Sequence, residues 1–168
     1  MSQSAGYRLI SHHGYAEVRR RLSNDQNALF VTRPFSTGEL ISDFTAGTIA
    51  AEPTYLTVQV GEQKHITLVP EHLQYINHSC EPNVFFDTST MKLVALRDIK
   101  KDEELSFFYP STEWEMTQSF QCYCGHASCL GTIKGAAFLN DEARKKYRFT
   151  DFIQHMLNKK RQLNKKVA

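Results

Sequence analysis

Three of the four cysteines in this chain lie close together, in a C-x-C-x4-C pattern formed by Cys122, Cys124 and Cys129. The fourth, Cys80, stands far upstream. Clustered thiols together with a distant one are typical of a tetrahedral zinc site, whose four soft ligands stabilise a loop too short to build its own core. The pattern therefore predicts a zinc site. His126 is a rival for the fourth ligand, and four unrelated buried thiols are the alternative reading.

Disulfide bonds explain this spacing poorly. Two cysteines separated by one residue bridge each other only with strain, and a cluster of three leaves one thiol without a local partner. Met1 to Tyr7 lack the basic and apolar regions of a secretory signal, and no apolar stretch approaches the length of a membrane span. We therefore expect an intracellular protein, nuclear or cytoplasmic, with reduced thiols and no membrane partner.

Cys80 ends the tetrapeptide N-H-S-C within "YINHSCEPNV". This motif, then "DEELSFFY" at Asp102 to Tyr109, then the cysteine cluster, resemble the three signatures of the SET-domain protein lysine methyltransferases in their usual order. Upstream, "STGELISDFTAG" is similar to the glycine-glutamate stretch of that family. The resemblance covers roughly Ala28 to Ile133, and three ordered motifs are more specific than any one of them.

The resemblance implies a mainly β fold with C-terminal helices, in which small curved sheets surround a pseudoknot of the N-H-S-C and E-L-x-x-Y segments. It implies a SET domain with its N-terminal strands at 1–110, a post-SET zinc loop at 111–135 and a C-terminal helical extension at 136–168. The implied activity is transfer of a methyl group from S-adenosylmethionine to a protein lysine, with histone tails as candidate substrates. The implied zinc ligands are Cys80, Cys122, Cys124 and Cys129.

The resemblance also implies roles for single residues. Tyr109 matches the tyrosine whose hydroxyl lies near the transferred methyl and orients the lysine amine, which at a pKa of about 10.4 is otherwise mostly an unreactive cation. Phe107 matches a channel position that is phenylalanine or tyrosine in the family, and phenylalanine there is expected to permit di- or trimethylation. The implied cofactor-binding residues are Asn77, His78, Ala28, Phe30 and Leu130. The candidate channel walls are Phe85, Phe86 and Phe108.

Some positions depart from the family pattern. Asn27 and Ala28 stand in place of a glycine-rich turn, where the backbone closely approaches the cofactor, and Gln74 stands where an arginine often precedes N-H-S-C. Asp43-Phe44 replaces a common glutamate-tyrosine pair, and the insert that usually helps to bind the peptide is short, at about Glu52 to Glu71. The lost glycines predict weaker cofactor binding. They also support an alternative function, a catalytically idle SET-like module that binds a peptide or cofactor.

The elements that must position these residues are short. Runs rich in β-branched and aromatic residues, separated by turn signals, predict strands in "NALFVTRPF", "TYLTVQV", "HITLV", "NVFFD", "MKLVAL" and "ELSFFY". Helical patterns are few: a turn at Pro70 to Leu73, a helix over "EWEM" capped by Ser111 or Thr112, and two C-terminal helices capped by Asn140 and Thr150. Parallel βαβ architecture is therefore not expected.

Length and charge set the remaining limits. A chain of 168 residues with 41% hydrophobic content is one domain with a single core. From Asp141 onward there are 9 Lys/Arg against 3 Asp/Glu, and before it 11 against 15. The acidic body suits a cationic, lysine-containing partner. Direct nucleic-acid binding is not expected, because the basic tail lacks interleaved aromatic residues and the zinc loop lacks a recognition helix.

Overall fold

Short strands make up most of the chain. The computed structural model describes residues 6–167. Residues 1–5 lie outside the described residues and contain most of the segment compared with a secretory signal. Residue 168, the end of the predicted C-terminal extension, also lies outside them. The strands are β1 (Tyr7–His12), β2 (Ala16–Arg21), β3 (Asn27–Val31), β4 (Leu40–Asp43), β5 (Thr45–Ala50), β6 (Val58–Gly61), β7 (Lys64–Val69), β8 (Asn77–His78), β9 (Val84–Asp87), β10 (Lys92–Ala95), β11 (Ser106–Phe107), β12 (Phe120–Gln121) and β13 (Thr132–Ile133). The α-helices are α1 (Asp141–Lys146) and α2 (Asp151–Val167), and 3-10 helices span Glu71–Tyr75, Tyr109–Ser111 and Ala136–Phe138.

These strands pair into five small sheets. Three of the sheets have three strands each, in the orders β1-β2-β3, β4-β10-β9 and β5-β7-β6, and two have two strands each, β8-β11 and β12-β13. The β8-β11 pair is parallel, with Asn77 opposite Ser106 and His78 opposite Phe107. The sheets and the C-terminal helices confirm the predicted mainly β fold.

The β8-β11 pair brings two distant motifs together. Beyond the pair, the Ser79 N–H donates to the Phe107 carbonyl at 3.1 Å, and the Asn83 N–H donates to the Ser106 carbonyl at 3.0 Å. Paired backbone groups of this kind can be buried without the cost of an unsatisfied donor or acceptor. The N-H-S-C segment is thereby held against the segment that carries Tyr109.

Two apolar clusters support this crossing. The larger one joins the three-stranded sheets to β11 through side chains such as Leu29, Phe86 and Leu105, which have almost no exposed surface. The second is built by the C-terminal segment, where Tyr147 stacks on Phe108 with ring centroids 3.7 Å apart. Because Phe108 directly precedes Tyr109, the C-terminal extension stabilises the tyrosine-bearing segment from outside.

The helix ends agree with the capping patterns. The Asn140 side chain accepts a hydrogen bond from Ala143 N at 2.8 Å, and the Thr150 hydroxyl accepts one from Ile153 N at 3.4 Å, so both predicted caps are confirmed. None of the helices in residues 6–167 combines the length and apolar character needed to cross a bilayer.

The helix expected over "EWEM" is not formed. A 3-10 helix at Tyr109–Ser111 precedes it, and Glu113 to Met116 are non-helical. The reason lies across the fold: Trp114 N donates to the Gln59 side-chain oxygen at 2.8 Å, and Gln59 N donates to Glu113 Oε1 at 2.9 Å. These reciprocal bonds tie the segment to β6. The Glu113 and Trp114 carbonyls, which a local helix would have used, accept instead from Ala136 N and Ala137 N at 2.9 and 3.0 Å. "ELSFFY" likewise forms a strand only at Ser106–Phe107.

Candidate active site

A cleft of about 710 Å³ opens beside the β8-β11 crossing. One end is polar and includes Arg21, Gln26 and Asn77, whereas Tyr109 and Phe120 contribute aromatic surface. Residues of the cysteine loop form a further wall. The volume lies in the range of small-molecule sites, about 300–1,000 Å³. A ligand with one polar and one flat end would match this lining.

Asn77 is fixed at the polar end of the cleft by both halves of its amide. Its Nδ2 donates to the Asn27 carbonyl at 3.1 Å and to Glu104 Oε1 at 3.2 Å, and its Oδ1 accepts from Gln26 Nε2 at 3.2 Å. Asn27 is the first residue of β3, directly after the β2-β3 turn, at the position where the resemblance predicts a glycine-rich turn. Asn77 therefore ties that turn to the crossing.

His78 is held as a neutral ring at the centre of the cleft. Its Nδ1 accepts a hydrogen bond from Tyr109 N at 3.2 Å, which assigns the ring proton to Nε2, 3.5 Å from Cys80 Sγ. The rings of Phe108, Tyr109 and Phe120 surround it, with centroids 5.2 to 5.7 Å away. Burial lowers the pKa of His78 to about 4, so the imidazole carries no charge at neutral pH.

Tyr109 is a protonated phenol in a largely buried position. Its pKa is raised to about 12, chiefly by burial and to a smaller extent by the negative charges of Glu113 and Glu104. The hydroxyl donates a long hydrogen bond of 3.4 Å to the Ile76 carbonyl. The Phe107 ring lies beside it, 4.7 Å from the Tyr109 ring and 4.9 Å from that of Phe86. The hydroxyl is thus weakly held by the protein and can exchange partners.

Glu113 is a buried acid next to this tyrosine that sequence reasoning did not single out. Its Oε1 accepts from Gln59 N and, at 3.1 Å, from the Thr112 hydroxyl. Burial raises the pKa of Glu113 to about 7, so the carboxyl is partly protonated at neutral pH. Its partner Gln59 is distant in sequence, so no local pattern could have revealed the pair.

The four cysteines form one group. Their sulfur atoms all lie within 4.8 Å of one another, and Cys80 Sγ is 3.9 Å from Cys122 Sγ. A tetrahedral zinc ion with bonds of about 2.3 Å would place its sulfur ligands about 3.8 Å apart. The Leu130 and Gly131 N–H groups donate to Cys80 Sγ and Cys129 Sγ at 3.4 and 3.5 Å, as thiolates require. The donor set therefore fits zinc.

The electrostatics of the cluster also call for a cation. Burial raises the pKa of the Cys80 and Cys122 thiols, which disfavours their thiolate forms unless a positive ion is bound among them. His126, the rival fourth ligand, is exposed and is not part of the sulfur group. Its side chain belongs to the wall of the cleft instead.

The remaining predicted residues lie near the cleft without lining it. Ala28 and Phe30 are buried in β3, where Phe30 packs beneath the Arg19 guanidinium, 4.8 Å from the ring centroid. Leu130 is half-buried beside the cysteines. Of the candidate channel walls, Phe86 meets Phe107, whereas the others face the C-terminal segment: Phe85 lies under Arg148 and Phe108 under Tyr147. The proposed roles of all these residues stay predictions.

Comparison with known proteins decides the family. A model of the SET domain matches residues 26–110 of this chain. The chain belongs to the SET-domain family. Methyltransferase flvH of Aspergillus flavus is 39% identical to it over 122 residues, which are 71% of this chain and 68% of that protein.

Other SET-domain relatives align over shorter stretches. An H3 lysine-4 specific histone-lysine N-methyltransferase of Emericella nidulans is 42% identical over 67 residues, 36% of this chain and 6% of that protein. An H3 lysine-36 specific enzyme of Schizosaccharomyces pombe is 33% identical over 87 residues, 48% of this chain and 11% of that protein. The methyltransferase domain of human SETMAR superposes with a TM-score of 0.47 at 17% identity, covering 77% of this chain and 58% of that one. Membership of the family and the sequence relatives named as methyltransferases confirm the predicted enzyme class, protein-lysine methyltransferase.

Proposed function

We propose that this SET-domain protein transfers a methyl group from S-adenosylmethionine to the side-chain amine of a lysine in another protein. The observation that carries the proposal is the convergence of Asn77, His78 and Tyr109 on one cleft at the β8-β11 crossing. The cofactor supplies a methyl carbon bonded to a positively charged sulfur. Held by Asn77 and His78, it would offer this carbon to the lone pair of a lysine nitrogen, and the electron pair of the broken carbon-sulfur bond would stay on sulfur.

The protein contributes chiefly alignment to this displacement, because it needs no covalent intermediate. The Tyr109 hydroxyl is protonated and loosely held, so it can exchange its bond to Ile76 for one to the amine. The amine must lose a proton before it reacts, since its ordinary pKa is about 10.4. Asn77 and neutral His78 offer an amide and an uncharged ring, which do not repel a cationic sulfonium group.

A structural zinc ion held by the four cysteines completes the cleft in this proposal. Four thiolates leave no position for a water molecule, so the metal itself takes no part in the chemistry. Its role is to hold Cys122 to Ile133 against Cys80, since the loop supplies part of the cleft wall. The four cysteines are free thiols, and an intracellular location would keep them reduced and able to bind the metal.

Histone tails are the first substrates to test. The relatives named above as histone-lysine methyltransferases act on H3 lysine 4 and H3 lysine 36. The acidic body of this chain also suits a cationic, lysine-rich segment.

Incubation with methyl-labelled S-adenosylmethionine and a panel of purified proteins, including core histones, tests the proposal. We expect labelled protein in at least one lane, with the label mapped to lysine by mass spectrometry. Protein that binds the cofactor but labels nothing would favour the idle peptide- or cofactor-binding module.

Phe107 leads to a prediction about the number of methyl groups. Its ring is 8% exposed and carries no polar group, so a water molecule beside the lysine nitrogen has no partner there and can be expelled. We therefore expect the wild-type protein to form di- or trimethyllysine. Phe107→Tyr, which offers the water a hydroxyl, should shift the product toward monomethyllysine without abolishing turnover.

Mass spectrometry of one substrate peptide, wild type against variant, measures that shift. Phe86→Tyr is the matched control, because it adds a hydroxyl to the neighbouring ring, which is fully buried. The control should lose stability and reduce all products in proportion. Unchanged ratios of mono-, di- and trimethyl product in Phe107→Tyr would refute the assignment.

A further inference from the structure

An ion pair at the polar end of the cleft is only loosely closed. Arg21 Nη2 lies 3.5 Å from Glu104 Oε2, and the two side chains are 37% and 27% exposed. Charged N–H···O bonds are normally about 2.7–2.9 Å long. A second pair in the same cleft shows the contrast, since Arg97 Nη2 lies 2.5 Å from Glu103 Oε1. The Arg21 guanidinium therefore has donors that Glu104 does not use.

Other contacts hold Arg21 in place while leaving those donors free. Its backbone N–H donates to the Gln26 carbonyl at 2.8 Å, which closes the β2-β3 hairpin. Its Nε donates to the Tyr7 hydroxyl at 3.1 Å, and its guanidinium lies 5.5 Å from the centroid of that ring. Among the described residues, the loose contact with Glu104 is the one polar partner of its terminal nitrogens. The Arg21 side chain is therefore held through Nε and its contact with the Tyr7 ring, whereas its terminal nitrogens are available to a ligand.

Glu104 is fixed in a complementary way. Its Oε1 accepts the hydrogen bond from Asn77 Nδ2, and its Oε2 faces Arg21. A carboxylate and a guanidinium thus lie side by side at one end of the cleft, neither fully neutralised by the other. An α-amino acid group presents the opposite arrangement, an ammonium and a carboxylate on one carbon.

The segment before N-H-S-C supplies no cation to this end. Gln74 donates to Glu71 Oε1 at 3.1 Å and does not line the cleft. A carboxylate bound here must find its positive partner elsewhere. Among the described residues that line the cleft, Arg21 is a cation whose terminal donors are only loosely paired, whereas Arg97 is closely paired with Glu103.

We propose that Arg21 and Glu104 together recognise the zwitterionic amino-acid end of the cofactor, Arg21 binding its carboxylate and Glu104 its ammonium. This assignment rests on the proposed use of S-adenosylmethionine. It makes Arg21 a residue that selects for the complete amino-acid group, and it gives the β1-β2-β3 sheet a role in cofactor binding.

Calorimetric binding of three ligands to the full chain tests the assignment. S-adenosylhomocysteine carries the amino-acid group, 5′-methylthioadenosine lacks it, and the decarboxylated amine analogue of S-adenosylhomocysteine lacks the carboxylate alone. Arg21→Gln should weaken S-adenosylhomocysteine binding by about tenfold to a hundredfold, the effect of losing a charge-assisted hydrogen bond. Binding of the other two ligands should change by less than about twofold.

Two further variants keep the test decisive. Arg33→Gln is the matched control, because Arg33 also stacks on an aromatic ring, 3.8 Å from the Phe35 centroid, and pairs with a glutamate at 2.8 Å, outside the cleft. It should leave all three affinities unchanged. Arg21→Lys keeps the charge but not the fork of donors, so it should give a smaller loss confined to S-adenosylhomocysteine, and it replaces Arg21→Gln if that variant does not fold.

The outcomes separate this assignment from the proposed function. An equal loss for all three ligands, or no loss for S-adenosylhomocysteine, would overturn the role of Arg21 while leaving cofactor binding intact. Wild-type protein that binds none of the three would overturn the use of S-adenosylmethionine, and the role of Arg21 with it.

Discussion

Replacing Tyr109 by phenylalanine is expected to lower turnover by about a hundredfold to ten-thousandfold while leaving cofactor affinity nearly unchanged. The hydroxyl would act on the amine and on the transition state, whereas the ring alone supplies the packing around His78 and Phe120. Stability should change little, because the hydrogen bond that is lost, to the Ile76 carbonyl, is already 3.4 Å long.

Single-turnover rates, S-adenosylhomocysteine affinity and the unfolding midpoint distinguish these effects. Tyr15→Phe is the matched control: its hydroxyl makes a shorter bond of 2.8 Å to His72 Nε2, away from the cleft. The control should lose stability and keep its rate, which is the reverse of the result expected for Tyr109. A Tyr109→Phe protein that turns over at the wild-type rate would reduce Tyr109 to a packing residue.

Local patterns predicted well those features that depend on neighbouring residues. The caps at Asn140 and Thr150 act within one helical turn, and β9 and β10 are short, mostly apolar runs in which three and two residues, respectively, are buried. The cysteine spacing likewise predicted a cluster, because three of the four sulfur atoms are close in sequence. That Cys80 belongs to the cluster was predicted from the order of the motifs. Cys80 is distant in sequence, and the β8-β11 crossing brings it close to the other three cysteines.

The hairpin that carries Arg21 was harder to predict. In β2 only Ala16 and Val18 are fully buried, and the rest of the strand is charged, so its alternating pattern has two apolar positions. Its partner β1 is mostly exposed. Arg21, which lines the cleft, therefore lies on a mostly charged strand at the edge of the core, and no sequence motif marks it.

Contacts between distant segments explain the other differences. The pairing of β8 with β11 involves two residues on each side, too few for strand propensity to specify. Glu113 and Trp114 stay non-helical because Gln59 bonds to both of them from β6 and their carbonyls accept from Ala136 N and Ala137 N. The conformation of such residues is determined by tertiary contacts, and in this chain they lie close to Tyr109.

Removal of the metal, or the change Cys122→Ser or Cys124→Ser, is expected to disorder residues 122–133 and abolish turnover while the central sheets stay folded. Without the metal, few other contacts hold the loop in place. Its β12-β13 pairing joins only Phe120 to Ile133 and Gln121 to Thr132, and its buried cluster consists of Cys80, Cys122 and Ile133. Structural zinc in such small units supplies folding free energy directly, on the order of 10 kcal/mol in isolated peptides.

Elemental analysis, far-ultraviolet circular dichroism and limited proteolysis check this result together. Wild-type protein should contain one zinc per chain, and the chelated or serine-substituted protein should be cut within the loop while keeping its strand signal. His126→Ala is the control for the ligand set and should retain one zinc per chain, because His126 lies outside the sulfur group. Loss of zinc in that variant would put histidine among the ligands. Full activity in protein shown to be metal-free would rule out a structural zinc site, since the loop would then hold the cleft wall without it.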